Sequence, residues 1–363
     1  MIVRACHFAF HTDEGAALAT LYYPGDERRL AEARLTGQVP ALETHAPWPL
    51  VVVMPGVNVA PDGYRWLARR LVADGLCVVT FAAIGSLGPA GRGITPGIDL
   101  SALSAEEIGT RPSSTVLGPL LDCLRGSPAS GITEHAGASA AAVDAVRAGA
   151  VAPVADGTVV AGSVLDGTPA AGLVDLDRVV LGGHSAGGTM ALHNSSPAWV
   201  RGLRAVFAYG AHTMMASDLG HGESVIAAAP AEVPVLLLCG AEDGVITASS
   251  DRYRSDSSDG PHHRHDPVGR TFAEALGRSC GDSWLVELSG AGHFAVCRPV
   301  DTTSGRAFLE FGATQGDPVP DKDVQELLGD LIAAFVGVAL RRRDVAHFES
   351  VVAHRLVSRW DRR

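Results

Sequence analysis

The sequence predicts an α/β fold with a mostly parallel central sheet, an N-terminal antiparallel hairpin and helices on both faces. Three observations lead there. Short continuous apolar runs, such as Leu50–Met54 and Leu76–Phe81, have the pattern of strands covered on both faces. Segments with helical spacing alternate with them, as at Tyr64–Ala73 with Gly75 just beyond as a stop. Near the start, Val3–Phe10 and Ala17–Tyr23 flank His11-Thr12-Asp13-Glu14-Gly15, which reads as a hairpin. Strands alternating with helices are the mark of a parallel sheet wrapped by its crossovers.

The remaining elements follow in order. Residues 24–49 are polar and proline-bearing and read as a loop. Ser114–Leu124 reads as a helix, and a short helix is predicted at Ala138–Ala148. Val179–Leu181 ends a buried strand, and Thr189–His193 is helix-compatible. Strands are predicted at Leu203–Tyr209, Val233–Cys239 and Ser283–Leu288, then a long amphipathic helix over Asp323–Leu340. No internal repeat or linker interrupts this pattern, so one domain spanning 1–363 is expected. The stretches 85–112, 126–172 and 251–270 read as insertions or loops, with a lid over a site, an ordered surface loop and plain filler as the alternatives.

Composition narrows the class. Of 363 residues, 47% are hydrophobic and 19% charged, ample for a buried core. The net charge of −11 and the lack of a long basic cluster argue against nucleic acid as a partner. Arg341-Arg342-Arg343 fits the C-terminal end of a helix, where cations oppose the dipole. The longest apolar stretch, Leu331–Leu340, is too short to span a bilayer. The N-terminus lacks a basic segment followed by an apolar block, and the six cysteines are scattered, so a cytoplasmic protein with reduced thiols is expected. A Cys280–Cys297 disulfide is the alternative for those two. The exposed edge of the hairpin offers a surface for a homodimer.

The chemistry concentrates at Gly182-Gly183-His184-Ser185-Ala186-Gly187-Gly188. A Gly-x-Ser-x-Gly sequence between a buried strand and a helix lifts the serine clear of the sheet as a nucleophile. Gly183 and Gly187 give the turn backbone room and let the helix pack close to its strand. A serine hydroxyl needs a base, an acid to orient the base, and donors for the oxyanion. Asp243, just past the apolar run Val235–Cys239, is the acid candidate; Glu242, Asp251 and Asp282 are its rivals. His293, in Ser289-Gly290-Ala291-Gly292-His293-Phe294, is the base candidate and keeps the chain order Ser, Asp, His.

Backbone N–H groups of Val57, after Pro55-Gly56, and of Ala186 are expected to bind the oxyanion. His184, His212, Asn58 and Phe294 are tentative substrate contacts, although the sharp turn should aim His184 away from Ser185. His262-His263-Arg264-His265-Asp266 is rich in metal-ligand types, but no strand or helix fixes it, and a solvated loop is the expectation. No phosphate-binding Gly-rich loop with a lysine and no dinucleotide fingerprint is present, so neither cofactor nor metal is expected.

From Ala19-Thr20-Leu21-Tyr22-Tyr23-Pro24 to Gly292-His293-Phe294 and the last helix, these residues resemble the α/β-hydrolase superfamily. The run from Val51 through Pro55-Gly56-Val57 and Tyr64 to Val79 is similar to its chlorophyllase, polyester-hydrolase and dienelactone-hydrolase-like branch. The resemblance implies a serine hydrolase with Ser185, Asp243 and His293 as triad and Val57 and Ala186 as oxyanion donors. Three departures limit what it carries over. Dienelactone hydrolases proper use a cysteine where Ser185 stands. Polyester hydrolases usually place an aromatic residue beside the first oxyanion donor, where this chain has aliphatic Val57, and the insertions are long for the branch.

The function expected is hydrolysis of a carboxylic ester of a small or medium-sized metabolite through an acyl-serine. The alternatives are acyl transfer, thioester hydrolysis, a lyase or cyclase reaction on the same fold, or a non-catalytic ligand-binding protein.

Overall fold

A computed structural model describes residues 1–12, 15–36, 39–84, 104, 107–126, 165, 170–215, 225–250, 266–276, 282–301 and 321–363. One sheet of nine strands organises them. In chain order the strands are β1 (Ile2–Thr12), β2 (Gly15–Gly25), β3 (Trp48–Met54), β4 (Cys77–Ile84), β5 (Val174–His184), β6 (Leu203–Tyr209), β7 (Val235–Gly240), β8 (Trp284–Leu288) and β9 (Val357–Arg362). Their spatial order is β1-β2-β4-β3-β5-β6-β7-β8-β9. Strands β4, β3, β5, β6, β7 and β8 run parallel, while β1, β2 and β9 are antiparallel additions at the two sides.

The apolar runs have the two-sided burial expected of them. Along β3, Leu50, Val52 and Met54 enter one core and Val51 and Val53 the other. Helices α2 (Arg65–Ala73), α7 (Lys322–Ala339) and α8 (Val345–Val352) supply Leu67, Leu331 and Phe348 to the second core. The opposite face is covered by α3 (Leu117–Arg125) and α4 (Ala186–His193), with Leu120, Leu121, Met190 and Leu192.

Helix starts shift from the sequence expectation where a side chain caps. Helix α3 begins after Ser114 because its hydroxyl accepts from the N–H groups of Val116 (3.2 Å) and Leu117 (2.9 Å). Helix α7 begins at Lys322 because Asp321 accepts from Asp323 N–H at 2.7 Å.

Residues 24–49, expected to be loop, contain a 3₁₀ turn at Glu27–Arg29 and α1 (Leu30–Thr36). Asp26 caps the turn through Arg28 N–H, while Leu35 is left 90% exposed, so no apolar stripe announces the helix. Strand β9 and helix α8 lie beyond the last element read from the sequence. The polar run Ser358-Arg359-Trp360-Asp361-Arg362 lacks a strand's alternation. It is held by ion pairs from Arg359 to Glu287 and Asp266, and by the Arg362 guanidinium 4.8 Å above the Trp284 ring.

The three insertions lie mostly outside the described residues, and so does the helix expected at Ala138–Ala148. Parts of them are described. Residues 107–111 dock through Ile108 against Met215 and Ala227. Leu165 and Ala170 are buried in the first core. Pro267–Arg270 form the short helix α6, capped by Asp266.

Leu331 is fully buried where α7 meets the sheet. Leu331→Ala should lower stability by about 2–5 kcal/mol, read from urea unfolding.

Candidate active site

In the sheet, β3 feeds β4 on one side while β5 begins the run to β8 on the other. This is the point where the strand order reverses, the place at which ligand sites form outside the carboxyl ends of the strands in open α/β sheets. The structure places Pro55-Gly56-Val57 at the end of β3 and Ser185 at the end of β5. Asp243 follows β7, and His293 follows β8 within a short 3₁₀ turn, His293–Val296. All four segments therefore lie at the carboxyl ends of the parallel strands.

Ser185 stands between β5 and α4 with φ 53° and ψ −126°, a backbone conformation rarely taken by a residue with a side chain. Such a residue costs of order 1–3 kcal/mol and persists only where its surroundings over-determine it. They do so here. Ser185 N–H donates to Tyr209 O on β6 at 2.9 Å, and Ser185 O accepts from Thr189 N–H at 3.0 Å. The flanking glycines let the chain double back. A Cβ on Gly183 would lie 2.3 Å from the Gly187 carbonyl carbon, and one on Gly187 only 2.2 Å from Met54 O. Helix α4 thus sits against the backbone of both β5 and β3, with Ala186 as its first residue.

The acid and base candidates are paired and buried. Asp243 Oδ2 lies 2.8 Å from His293 Nδ1, and both side chains are under 5% exposed. The other oxygen, Oδ1, accepts from Ile246 N–H at 2.8 Å at the start of α5 (Gly244–Ser250). One carboxylate thereby caps a helix and holds an imidazole. The rivals are elsewhere: Glu242 is exposed, Asp282 pairs with Arg362 at the start of β8, and Asp251 lies outside the described residues.

The loop carrying His293 is held through its carbonyl groups. Ala291 O accepts from Glu242 N–H, and Phe294 O from Cys297 N–H. Side chains supply the rest. Tyr209 donates to Gly292 O (2.5 Å), Trp66 to Val296 O (2.8 Å), and the buried Gln325 of α7 to both Ala295 O (3.1 Å) and Cys297 O (3.2 Å). His184 Nε2 lies 3.0 Å from His293 O. The sequence holds no signal for these donors, because each acts across a long chain separation on backbone atoms.

The tentative substrate contacts divide. Asn58 is exposed in the turn beside Val57, and His212 is half-buried after β6, its carbonyl accepting from Thr189 Oγ1 at 2.8 Å. His184 and Phe294 are both buried, at 1% and 4% exposed. His184 is the last residue of β5, and its ring packs among Tyr64, Tyr209, His293 and Phe294.

Among the described residues no group of three or more His, Cys, Asp or Glu converges as metal ligands would. His262, His263 and His265 lie outside them, and Asp266 is spent on capping α6 and pairing with Arg359. Cys77, Cys123 and Cys239 are buried thiols pushed above their usual range by desolvation, Cys123 to about 12. Cys297 is buried too, and its expected alternative partner Cys280 is outside the described residues. A cavity of about 760 Å³ opens at the far edge of the sheet, among Arg178, Leu203, Trp284, Phe335 and Phe348, away from Ser185. No helix of the described residues is long and apolar enough to cross a membrane.

No protein-family model matches this chain, and none of the curated proteins matches it.

Two substitutions test the framework. Gly187→Ala would drive a methyl into Met54 O and should cost at least about 1–3 kcal/mol, seen as a lower Tm by calorimetry. Gln325→Leu would leave two buried carbonyls without this donor and should cost about 1–3 kcal/mol in urea unfolding.

Proposed function

We propose that this chain is a serine hydrolase of the α/β-hydrolase type, cleaving a carboxylic ester of a small or medium-sized metabolite through an acyl-serine intermediate. The observation that carries the reading is the coincidence at the carboxyl ends of the parallel strands of a strained, half-buried Ser185 (φ 53°) and a buried Asp243–His293 pair 2.8 Å apart. A strained serine between a strand and a helix costs stability and supports no core packing, so function is the economical account of it.

In this reading Ser185 Oγ attacks the ester carbonyl carbon while His293 Nε2 takes its proton. Nδ1 is committed to Asp243, which fixes the tautomer and stabilises the imidazolium. The carbonyl oxygen becomes an oxyanion beside the N–H groups of Val57 and Ala186. Gly56 N–H is spent on Tyr64 Oη at 2.9 Å, so the next amide along the turn is the one left for this task. His293 returns the proton to the leaving alkoxide as the C–O bond breaks. Water then attacks the acyl-serine and His293 takes its proton, then hands it to Ser185 Oγ as the acyl C–O bond breaks, releasing the acid and free Ser185.

A fluorophosphonate probe should label Ser185, with the adduct located by peptide mass spectrometry. Ser185→Ala should abolish labelling and ester turnover. Asp243→Asn should lower kcat roughly ten-thousand-fold, because the amide favours the wrong imidazole tautomer. Wild-type turnover in Ser185→Ala would sink the proposal.

A further inference from the structure

His293 is positioned partly by a chain of side chains that reaches back to the first oxyanion loop. Gly56 N–H donates to Tyr64 Oη (2.9 Å), Tyr64 Oη lies 2.8 Å from His184 Nδ1, and His184 Nε2 lies 3.0 Å from His293 O. Tyr64 and His184 are 0% and 1% exposed.

The protons of this chain have one consistent arrangement. A carbonyl oxygen only accepts, so His184 carries its proton on Nε2. In a neutral ring Nδ1 is then an acceptor, and Tyr64 O–H must donate to it. The phenol's lone pair is left to accept from Gly56 N–H. Cys297 Sγ, 3.9 Å from the same Nδ1, is a weaker donor than the phenol. Burial, and then the nearby His293, push the His184 pKa well below the usual imidazole range, which agrees with a neutral ring. Neutrality also suits the neighbour: the two imidazole centroids are 4.6 Å apart, and a charged His184 would oppose charging of His293.

We infer that Tyr64 and His184 are positioning residues that set the register between the Gly56–Val57 turn, Ser185 and the His293 backbone. The inference rests on the hydrolase reading above and deepens it. Neither side chain transfers a proton to substrate. His184 is covalently next to Ser185, so its two hydrogen bonds tie the nucleophile's own turn to the loops on either side. A displacement of about 1 Å at such a junction can cost up to a hundred-fold in rate.

The experiment compares Tyr64→Phe, His184→Gln and His184→Leu in the full chain. Tyr64→Phe keeps the ring and removes the hydroxyl. It should lower kcat for a p-nitrophenyl ester and the rate of Ser185 labelling by roughly ten-fold or more, with KM changed less than about two-fold. His184→Gln keeps an N–H donor near the Nε2 position and should retain clearly more kcat than His184→Leu. The double variant Tyr64→Phe/His184→Leu should be no slower than His184→Leu alone, because the links act in series. A packing role alone would leave kcat of Tyr64→Phe at the wild-type value, and that result, or His184→Gln no better than His184→Leu, overturns the inference. Ring ¹⁵N–¹H spectra of the wild-type protein supply a readout independent of activity and of variant folding: they should show His184 protonated on Nε2 only. A proton on Nδ1 overturns the chain of bonds even if Ser185 is labelled. An unlabelled wild-type Ser185 together with the predicted ring spectrum would instead reject the hydrolase reading, and with it the positioning role.

Discussion

The constraint on which this site depends is the loop that carries His293. Its residues Ala291 and Phe294–Cys297 are buried in the second core with α2 and α7, yet the loop belongs to no strand. Buried carbonyl groups must find donors, and each carbonyl from Ala291 to Cys297 does. Four of the donor side chains, Trp66, His184, Tyr209 and Gln325, come from α2, β5, β6 and α7. The imidazole's position is thus a property of the whole assembly. Gln325 makes the point most plainly: a polar side chain on the buried stripe of α7 would be a fault in a simple amphipathic helix, and here its amide spans two carbonyls of the loop.

The same economy of contacts surrounds Ser185. The strand order reverses between β3 and β5, so the helix after β5 can lie across the end of β3. That approach is possible only because Gly187 presents no side chain to Met54 O. Strain in the Ser185 backbone is offset by the two hydrogen bonds that hold its N–H and C=O and by the packing of Met190 and Leu192 in the first core. The short parallel strands, covered on both faces, give the turn an anchor that cannot relax to relieve it.

How much of this was legible depended on the kind of signal. Strands β3 to β8 show themselves because burial on both faces leaves continuous apolar runs, while the half-buried first part of β5, Val174–Arg178, was not legible. Ser185, Asp243 and His293 were legible because each follows such a run, in a fixed chain order. Helix α1 and strand β9 were not, since Leu35 and the run Ser358–Arg362 are held by caps, ion pairs and a ring contact instead of periodic burial. The burial of the His184 ring was not legible, because adjacency to Ser185 in sequence says nothing about which side of the strand end its ring takes. Tyr64, Trp66 and Gln325 carried no signal at all, as their partners are backbone atoms more than a hundred residues away in the case of Trp66, or reached through a histidine in the case of Tyr64.

Asp243 shows why an aspartate suits its position better than its neighbour Glu242 would. Its two oxygens meet two demands whose directions are set independently. The start of α5 fixes where Oδ1 must accept, from Ile246 N–H, and the β8 loop fixes where Nδ1 of His293 waits for Oδ2. A short side chain with one fewer rotatable bond can satisfy both only in one orientation, so the helix cap restrains the carboxylate that in turn restrains the imidazole. A carboxylate has the acceptor capacity to serve both donors at once. A longer acid would gain freedom to reach His293 and lose the cap that aims it.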